Sequence, residues 1–349
     1  MSLKVDIKKS FKGFKLHVSF ETNNEYLGFL GASGSGKSMT LKCIAGVETP
    51  DEGSIVLNNR VLFDSEKKIN LKPQDRNIGF LFQNYALFPN MTVVENIGAG
   101  LRLSKTEKKA VVNDMLKSFH LMGLENKYPN QLSGGQQQRA ALARSIAYNP
   151  DVLLLDEPFS ALDYHLKGEV QAEMLELLKL YNGEVLIVTH SIDEAYKFCK
   201  NLVVIDKGNS VLFGNTREII KDPKLISAAR LTGCNNISRC CFTASNKIYA
   251  RDWDLEITIN KKATDIDYVG IHSNSFDIVE SKNSENIMEC EIVEIIEKVH
   301  GYTVIFHNKS GNINAANMYY DVKKEEWDNR NNKTNLFLKI RDDSILLLI

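Results

Sequence analysis

Short, almost continuously apolar runs recur through the first part of the chain: YLGFL (26–30), NIGFLFQ (77–83), DVLLLDEP (151–158), EVLIVTH (184–190) and NLVVIDKG (201–208). A strand with one wet face alternates apolar and polar residues. These runs do not alternate, so they predict parallel strands covered on both faces. Helical periodicity fills the gaps between them. TVVE (92–95) and SKTE (104–107) each have the spacing of a capping box, and Val111, Val112, Met115, Leu116 and Phe119 follow as one apolar stripe. The pattern predicts an α/β core over about residues 1–230, with a mostly helical insertion at about 87–147.

From about residue 235 the pattern changes to short alternating segments, among them KIYARDWDLEITI, ECEIVEIIEKVHGYTVIFHN and LFLKIRDDSILLLI, punctuated by Gly, Asn and Ser. This predicts a second, small antiparallel β domain over 235–349, an OB-like barrel. A length of 349 residues accommodates two such cores. Composition adds little to the picture: 43% apolar, 25% charged and a net charge of −1 describe an ordinary globular protein and give no support for nucleic acid as a partner. The six cysteines have neither zinc-site nor disulfide-framework spacing, which predicts reduced thiols in a cytoplasmic setting. The N-terminal residues MSLKVDIKKSFKGF place charges where a signal peptide needs an apolar core. No apolar run approaches the roughly 18 residues of a membrane span, so any action at a membrane requires docking onto another chain.

Chemistry enters at GASGSGKS (31–38), directly after the first apolar run. Glycines let a backbone approach a phosphate closely, and G-x-x-x-x-G-K-[ST] between a strand and a helix is a phosphate-binding loop. The candidate loop residues are Gly31, Ala32, Ser33, Gly34, Ser35, Gly36, Lys37, Ser38 and Met39. Lys37 would reach the outer phosphates and the Ser38 hydroxyl would ligate Mg²⁺. In an open parallel sheet, ligands sit beyond the carboxyl ends of the strands. The other apolar runs end there too, in Gln83, in Asp156 and Glu157, and near His190. One carboxylate of the DEP pair would hold the metal and the next would deprotonate an attacking water. Gln83 can offer an oxygen to the metal, and a neutral His190 can donate to the terminal phosphate.

In LSGGQQQR (132–139), Ser133 and Gln136 have the spacing of a capping box at the start of a helix. With Gly134 and Gly135 in the first turn, bare amides point outward and form a second anion site. One phosphate chain needs only one loop, so the second site calls for another subunit.

Together these motifs, with SALD (160–163), resemble the nucleotide-binding subunit of ABC transporters over about residues 1–230. The resemblance implies a P-loop (RecA-like) ATPase core with a helical subdomain. It also implies a head-to-tail homodimer in which ATP and Mg²⁺ lie between the loop of one subunit and Ser133, Gly134, Gly135 and Gln136 of the other. Asp163 would line the seam between subunits and an aromatic near the N-terminus, Phe11 with Phe14 next, would stack on adenine. NYALFP (84–89) would touch a transmembrane permease at the cytoplasmic face of the membrane, and an extracytoplasmic oxyanion-binding protein would supply the substrate.

The loop region, the hairpin KGFKLHVSF and the segments LTGCNNISR, RDWDLEI and YVGIHSNSFDI are similar to the molybdate importer ATPases. Relatives that bind the oxyanion in the second domain carry Ser-Ala-Arg-Asn, where this chain has Asn283, Ser284, Glu285 and Asn286. A glutamate there removes a natural oxyanion donor. A structural or dimerising role for that domain is the expectation.

Overall fold

The computed structural model describes residues 2–23, 25–160, 164–260, 265–281, 284–312, 315–330 and 336–349. Contacts divide it into two compact units, Met1–Arg217 and Glu218–Ile349.

In the first unit the elements run β1 (Ser2–Phe11), β2 (Phe14–Asn23), β3 (Tyr26–Leu30), α1 (Lys37–Ala45), β4 (Glu52–Leu57), β5 (Arg60–Asp64), β6 (Ile69–Asn70), β7 (Ile78–Leu81), α2 (Val93–Gly98), α3 (Lys105–Ser118), α4 (Gly134–Ile146), β8 (Val152–Asp156), α5 (Tyr164–Leu178), β9 (Glu184–Thr189), α6 (Ile192–Phe198), β10 (Asn201–Asp206) and β11 (Asn209–Asn215). They build one sheet in the order β6-β5-β4-β1-β2-β11-β10-β3-β9-β8-β7. Strands β10, β3, β9, β8 and β7 pair in parallel, and β1 pairs antiparallel with both β2 and β4.

The apolar runs behave as parallel strands should. Val152 and Leu154 join one hydrophobic cluster, which also takes Leu41 and Ile44 of α1, while Leu153 and Leu155 join another with α2, α3 and α4. Alternate side chains thus enter opposite cores, and β8 has no wet face. By contrast, β1 alternates buried and exposed residues, as suits a sheet covered on one side. The helical insertion between β7 and β8 contains α2, α3 and α4. Thr92 with Glu95 and Ser104 with Glu107 form the expected capping boxes at the starts of α2 and α3. Among the described residues no helix is long and apolar enough to cross a membrane.

The unit boundary falls within α7 (Thr216–Lys221). Helix α8 (Ile226–Leu231), which the sequence pattern leaves with the α/β core, contributes Ala229 to a cluster with Cys234, Leu346 and Leu348 of the second unit. The second unit continues with β12 (Asn236–Ala244), β13 (Lys247–Ala250), β14 (Leu255–Thr258), β15 (Tyr268–Ile271), β16 (Phe276–Val279), β17 (Ile287–Lys298), β18 (Gly301–Asn308), β19 (Met318–Lys323), α9 (Lys324–Asp328), β20 (Leu336–Ile340) and β21 (Ile345–Leu348). These form two five-stranded sheets, β14-β13-β12-β15-β21 and β16-β20-β17-β18-β19, with antiparallel pairings throughout. Trp253, Phe306, Tyr320 and Trp327 sit in their common core.

Candidate functional site

The loop between β3 and α1 begins at Gly31, where a Cβ would lie 2.4 Å from the Ile205 carbonyl of β10; no side chain fits. It ends at Gly36, with φ of 109°, a left-handed conformation that L residues avoid. Gly36 caps α1 without any side-chain bond, the first turn holds no acidic residue, and the Thr40 N–H is bonded back to the Gly36 carbonyl. The amides of Lys37, Ser38 and Met39 ahead of it are the free donors of a helix start, a ready anion site. Lys37 is 4% exposed and folds its ammonium over the loop, donating to Gly31 O (2.7 Å) and Ala32 O (2.9 Å). Burial lowers its pKa, against the pull of Glu157 and Asp156. The buried Ser35 hydroxyl has no hydrogen-bond partner. A positive charge, bare amides and an orphaned hydroxyl around one loop fit a phosphate chain.

Above the loop lies a cavity of about 330 Å³ lined by Phe11, Phe14, Ser33, Gly34, Gly36, Lys37, Ser38, Met39 and Glu157. The β1–β2 hairpin brings both aromatics here, with ring centroids 6.3 Å apart and planes tilted by 40°. They are not equivalent. Phe14 closes on the glycines, its ring tip lying 3.2 Å from where a Gly36 Cβ would be and 3.1 Å from a Gly208 Cβ. Phe11 sits at the hairpin end with the Lys9 ammonium 5.2 Å from its ring centroid.

Residues from β7, β8 and β9 converge beside the loop. The Ser38 hydroxyl donates to Asp156 Oδ1 at 2.7 Å. Asp156 is 4% exposed, and burial raises its pKa more than the Ser38 bond lowers it. An all-oxygen set of Ser38, Asp156 and the Gln83 amide suits Mg²⁺. The described residues contain no cluster of three or more His, Cys, Asp or Glu able to hold a metal, and water and phosphate oxygens would complete an Mg²⁺ shell begun by these three. Glu157 takes φ of 45°, and its N–H donates to Val188 O at 3.0 Å. One of its carboxylate oxygens lies 3.5 Å from Gln83 Nε2 and 3.4 Å from His190 Nδ1. The histidine thus stands beside Glu157; an imidazole whose Nδ1–H donated to the carboxylate would need to be protonated to donate from Nε2 to a phosphate as well.

Ser133 caps α4 as the spacing predicts: its hydroxyl accepts from Gln136 N (3.4 Å) and Gln136 Oε1 accepts from Ser133 N (3.0 Å). Ser133 and Gly134 are exposed, and neither they nor Gly135 nor Gln136 lines the cavity. Asp163 and Asn283 lie outside the described residues.

A family model described as ABC transporter matches residues 15–160. The probable sulfate/thiosulfate import ATP-binding protein CysA of Chlorella vulgaris is 42% identical over 230 residues, which is 64% of this chain and 95% of that protein. The chain belongs to the ABC transporter ATP-binding proteins. Within the ABC family it is also similar to the spermidine/putrescine import ATP-binding protein PotA of Oleidesulfovibrio alaskensis (40% over 237 residues, 67% of this chain and 62% of the relative). The molybdate/tungstate import ATP-binding protein WtpC of Methanocaldococcus jannaschii is 42% identical over 240 residues, covering 67% of this chain and 77% of that one. The solved dimeric post-hydrolysis structure of the ATP-binding cassette MJ0796 bound to ADP and Pi superposes with a TM-score of 0.51 at 31% identity, over 62% of this chain and 99% of that one. The first unit is thus an ABC-type ATPase domain, to which the second adds antiparallel β sheets.

Three residues that sequence reasoning passed over shape the ABC site. Arg76 is fully buried and donates to the Cys43 and Ile44 carbonyls at the end of α1, at 2.9 and 2.8 Å. Gln138, two residues beyond LSGGQ, is 1% exposed and donates to Pro158 O, next to Glu157, at 3.1 Å. Asn96 fastens residues 84–91 through Phe88 N, Phe88 O and Met91 O. Within NYALFP, Tyr85 is core while Phe88 is 47% exposed, so only part of the segment is free to meet a partner.

In the second unit, Asn286 uses its amide on Thr258 N, Thr258 O and Asp342, and the Asp321 carboxylate takes Ser273, Thr303 and Lys298.

Proposed function

We propose that this protein is the ATP-hydrolysing subunit of an importer. It acts as a head-to-tail homodimer at the cytoplasmic face of a membrane and energises uptake of molybdate, with tungstate or sulfate also carried. The observation that supports hydrolysis is the convergence of Gln83 and His190 on one Glu157 carboxylate oxygen, in the residue that lines the cavity with Lys37 and Ser38. Phe11, the less confined aromatic, stacks on adenine. The loop amides and Lys37 hold the β- and γ-phosphates. Ser38, Asp156 and Gln83 would hold Mg²⁺, which when bound neutralises charge on the phosphate oxygens. Glu157 accepts a proton from water as its oxygen attacks the γ-phosphorus, the bond to the bridging oxygen breaks, and ADP and phosphate leave. Ser133 and the first α4 amides of the second copy close over the γ-phosphate.

A permease is proposed to dock on the helical region. There a cavity of about 740 Å³ has apolar walls that include Met91, Val94, Val112 and Leu116, with Lys105, Lys108 and Lys109 among its lining. Phe88 and Met91 are exposed in the same unit. Molybdate is favoured by the likeness of the loop and C-terminal segments to molybdate importer ATPases. A DNA-repair ATPase of this family would carry a long coiled-coil insertion or zinc ligands, and neither is present in the sequence.

One pair of assays tests the reading. Purified protein should release phosphate from MgATP, and Glu157→Gln should slow release at least about 100-fold while ATP binding persists. Deletion of the gene should abolish uptake of labelled molybdate and spare spermidine uptake. Loss of sulfate or spermidine uptake alone would reassign the substrate and leave the ATPase standing.

A further inference from the structure

The His190 imidazole is aimed mainly by the backbone beneath it. Its side chain is 55% exposed, and its Nδ1 lies 3.4 Å from Glu157, a longer separation than a tight hydrogen bond. That backbone is clamped on both sides. The Thr189 hydroxyl accepts from Ser191 N at 2.9 Å, closing a turn over His190, and donates to the Glu194 carboxylate. The Ser191 hydroxyl in turn accepts from Glu194 N at 3.4 Å as the cap of α6. Glu194 occupies the third position of α6, where a capping-box glutamate reaches back to the N–H of the cap residue, as Glu95 and Glu107 do in this chain. Glu194 does otherwise. The Ser191 N–H is taken by Thr189, and the two Glu194 oxygens go to the Thr189 hydroxyl and to the Lys167 ammonium of α5, the latter at 2.6 Å. Glu194 is 5% exposed and Thr189 1%. Burying a carboxylate so deeply is costly unless it is paired, and capping a helix does not require it.

We propose that Glu194 is a positioning residue for His190, held by Lys167 and acting through Thr189. The inference rests on the reading of His190 as a residue of hydrolysis. A hydroxyl has one hydrogen to donate. Glu194 takes that hydrogen from Thr189 and leaves the oxygen's lone pairs facing the Ser191 N–H, so the turn over His190 closes in one geometry. Lys167 pairs with the other carboxylate oxygen and so fixes the plane of the group. Both neighbours of His190 are thereby bonded to one residue, Thr189 to its side chain and Ser191 to its N–H. The same strand end also holds Glu157, whose N–H donates to Val188 O at 3.0 Å. An action of Glu194 through Glu157 instead of His190 is therefore the alternative to be separated.

The test measures kcat and KM for MgATP by phosphate release from the full-length protein. Glu194→Met keeps the length of the side chain without the carboxylate, and it leaves the Lys167 ammonium, 29% exposed, free to turn to water. Thr189→Val removes only the hydroxyl. Each should lower kcat at least about tenfold while KM changes less than about threefold. Glu194→Gln, whose amide oxygen can still accept from Thr189, should lose less than Glu194→Met. In a His190→Ala background, Glu194→Met and Thr189→Val should each cost less than about twofold in kcat, because the group they aim is gone. Thermal melting checks that each variant is folded, and if Glu194→Met does not fold, Thr189→Val carries the comparison. An unchanged kcat in the single variants, or equal losses with and without His190, assigns Glu194 to the fold or to Glu157 and overturns the proposal. If His190→Ala alone leaves kcat intact, the reading of His190 fails, and this inference fails with it.

Discussion

Asp156 is held in a state that serves a ligand rather than the fold. Its carboxylate is buried with one hydroxyl donor, and desolvation raises its pKa. In the window between the ordinary carboxylate range and that raised value, the native state binds more protons than the unfolded chain. This group's contribution to stability therefore falls as pH rises through the window. Asp156→Asn should raise the melting temperature of nucleotide-free protein at pH 7.5 by about 2 °C, flatten the acid side of its stability profile, and abolish Mg²⁺-dependent hydrolysis. Scanning calorimetry from pH 5 to 8 checks this. A variant that melts lower at every pH would mean that Asp156 stabilises the fold instead.

At the scale of elements, the phosphate loop depends on both ends of α1. Its N-terminus is left bare for a ligand, while its C-terminus is closed by Gly46 N–H to Cys43 O and by the Arg76 guanidinium on Cys43 and Ile44. Arg76→Met should leave those buried carbonyls without their charged donor. We expect a loss of about 3 kcal/mol and a melting temperature lower by about 6–10 °C, with KM for ATP raised as α1 loosens. Chemical denaturation and steady-state kinetics read both effects.

Much at this scale was legible in advance. Continuous apolar runs such as Val152–Leu155 declared strands buried on both faces, and the hydroxyl-to-carboxyl spacings at Thr92 and Ser104 declared helix starts. GASGSGKS and DEP announced themselves because their chemistry lies in adjacent residues. Arg76 and Gln138 did not, since each acts through backbone carbonyls 20 or more positions away, a partnership that no periodicity encodes. The pairing of His190 with Glu157 through Nδ1 was equally hidden, because it depends on ring orientation rather than on which strand ends where. The assignment of α8 to the second unit rested on its contact with Leu346 and Leu348, more than 110 residues later.

For the whole molecule, the proposed head-to-tail pair would divide each nucleotide site between two copies. The cavity beside Lys37 contains no residue of the LSGGQ segment, and that segment presents Ser133 and Gly134 to solvent at the start of a 13-residue helix. Two exposed halves, one on each copy, are the reason for proposing a head-to-tail pair. The direct measurement mixes two single-cysteine variants, Ser33→Cys at the cavity wall and Ser133→Cys at the helix start. Both carry Cys241→Ser and Glu157→Gln so that ATP is bound but not consumed. With MgATP and a short bismaleimide, the account predicts a crosslinked pair in the mixture and none in either variant alone. A mixture that stays uncrosslinked in MgATP, although each variant binds the nucleotide, would contradict it.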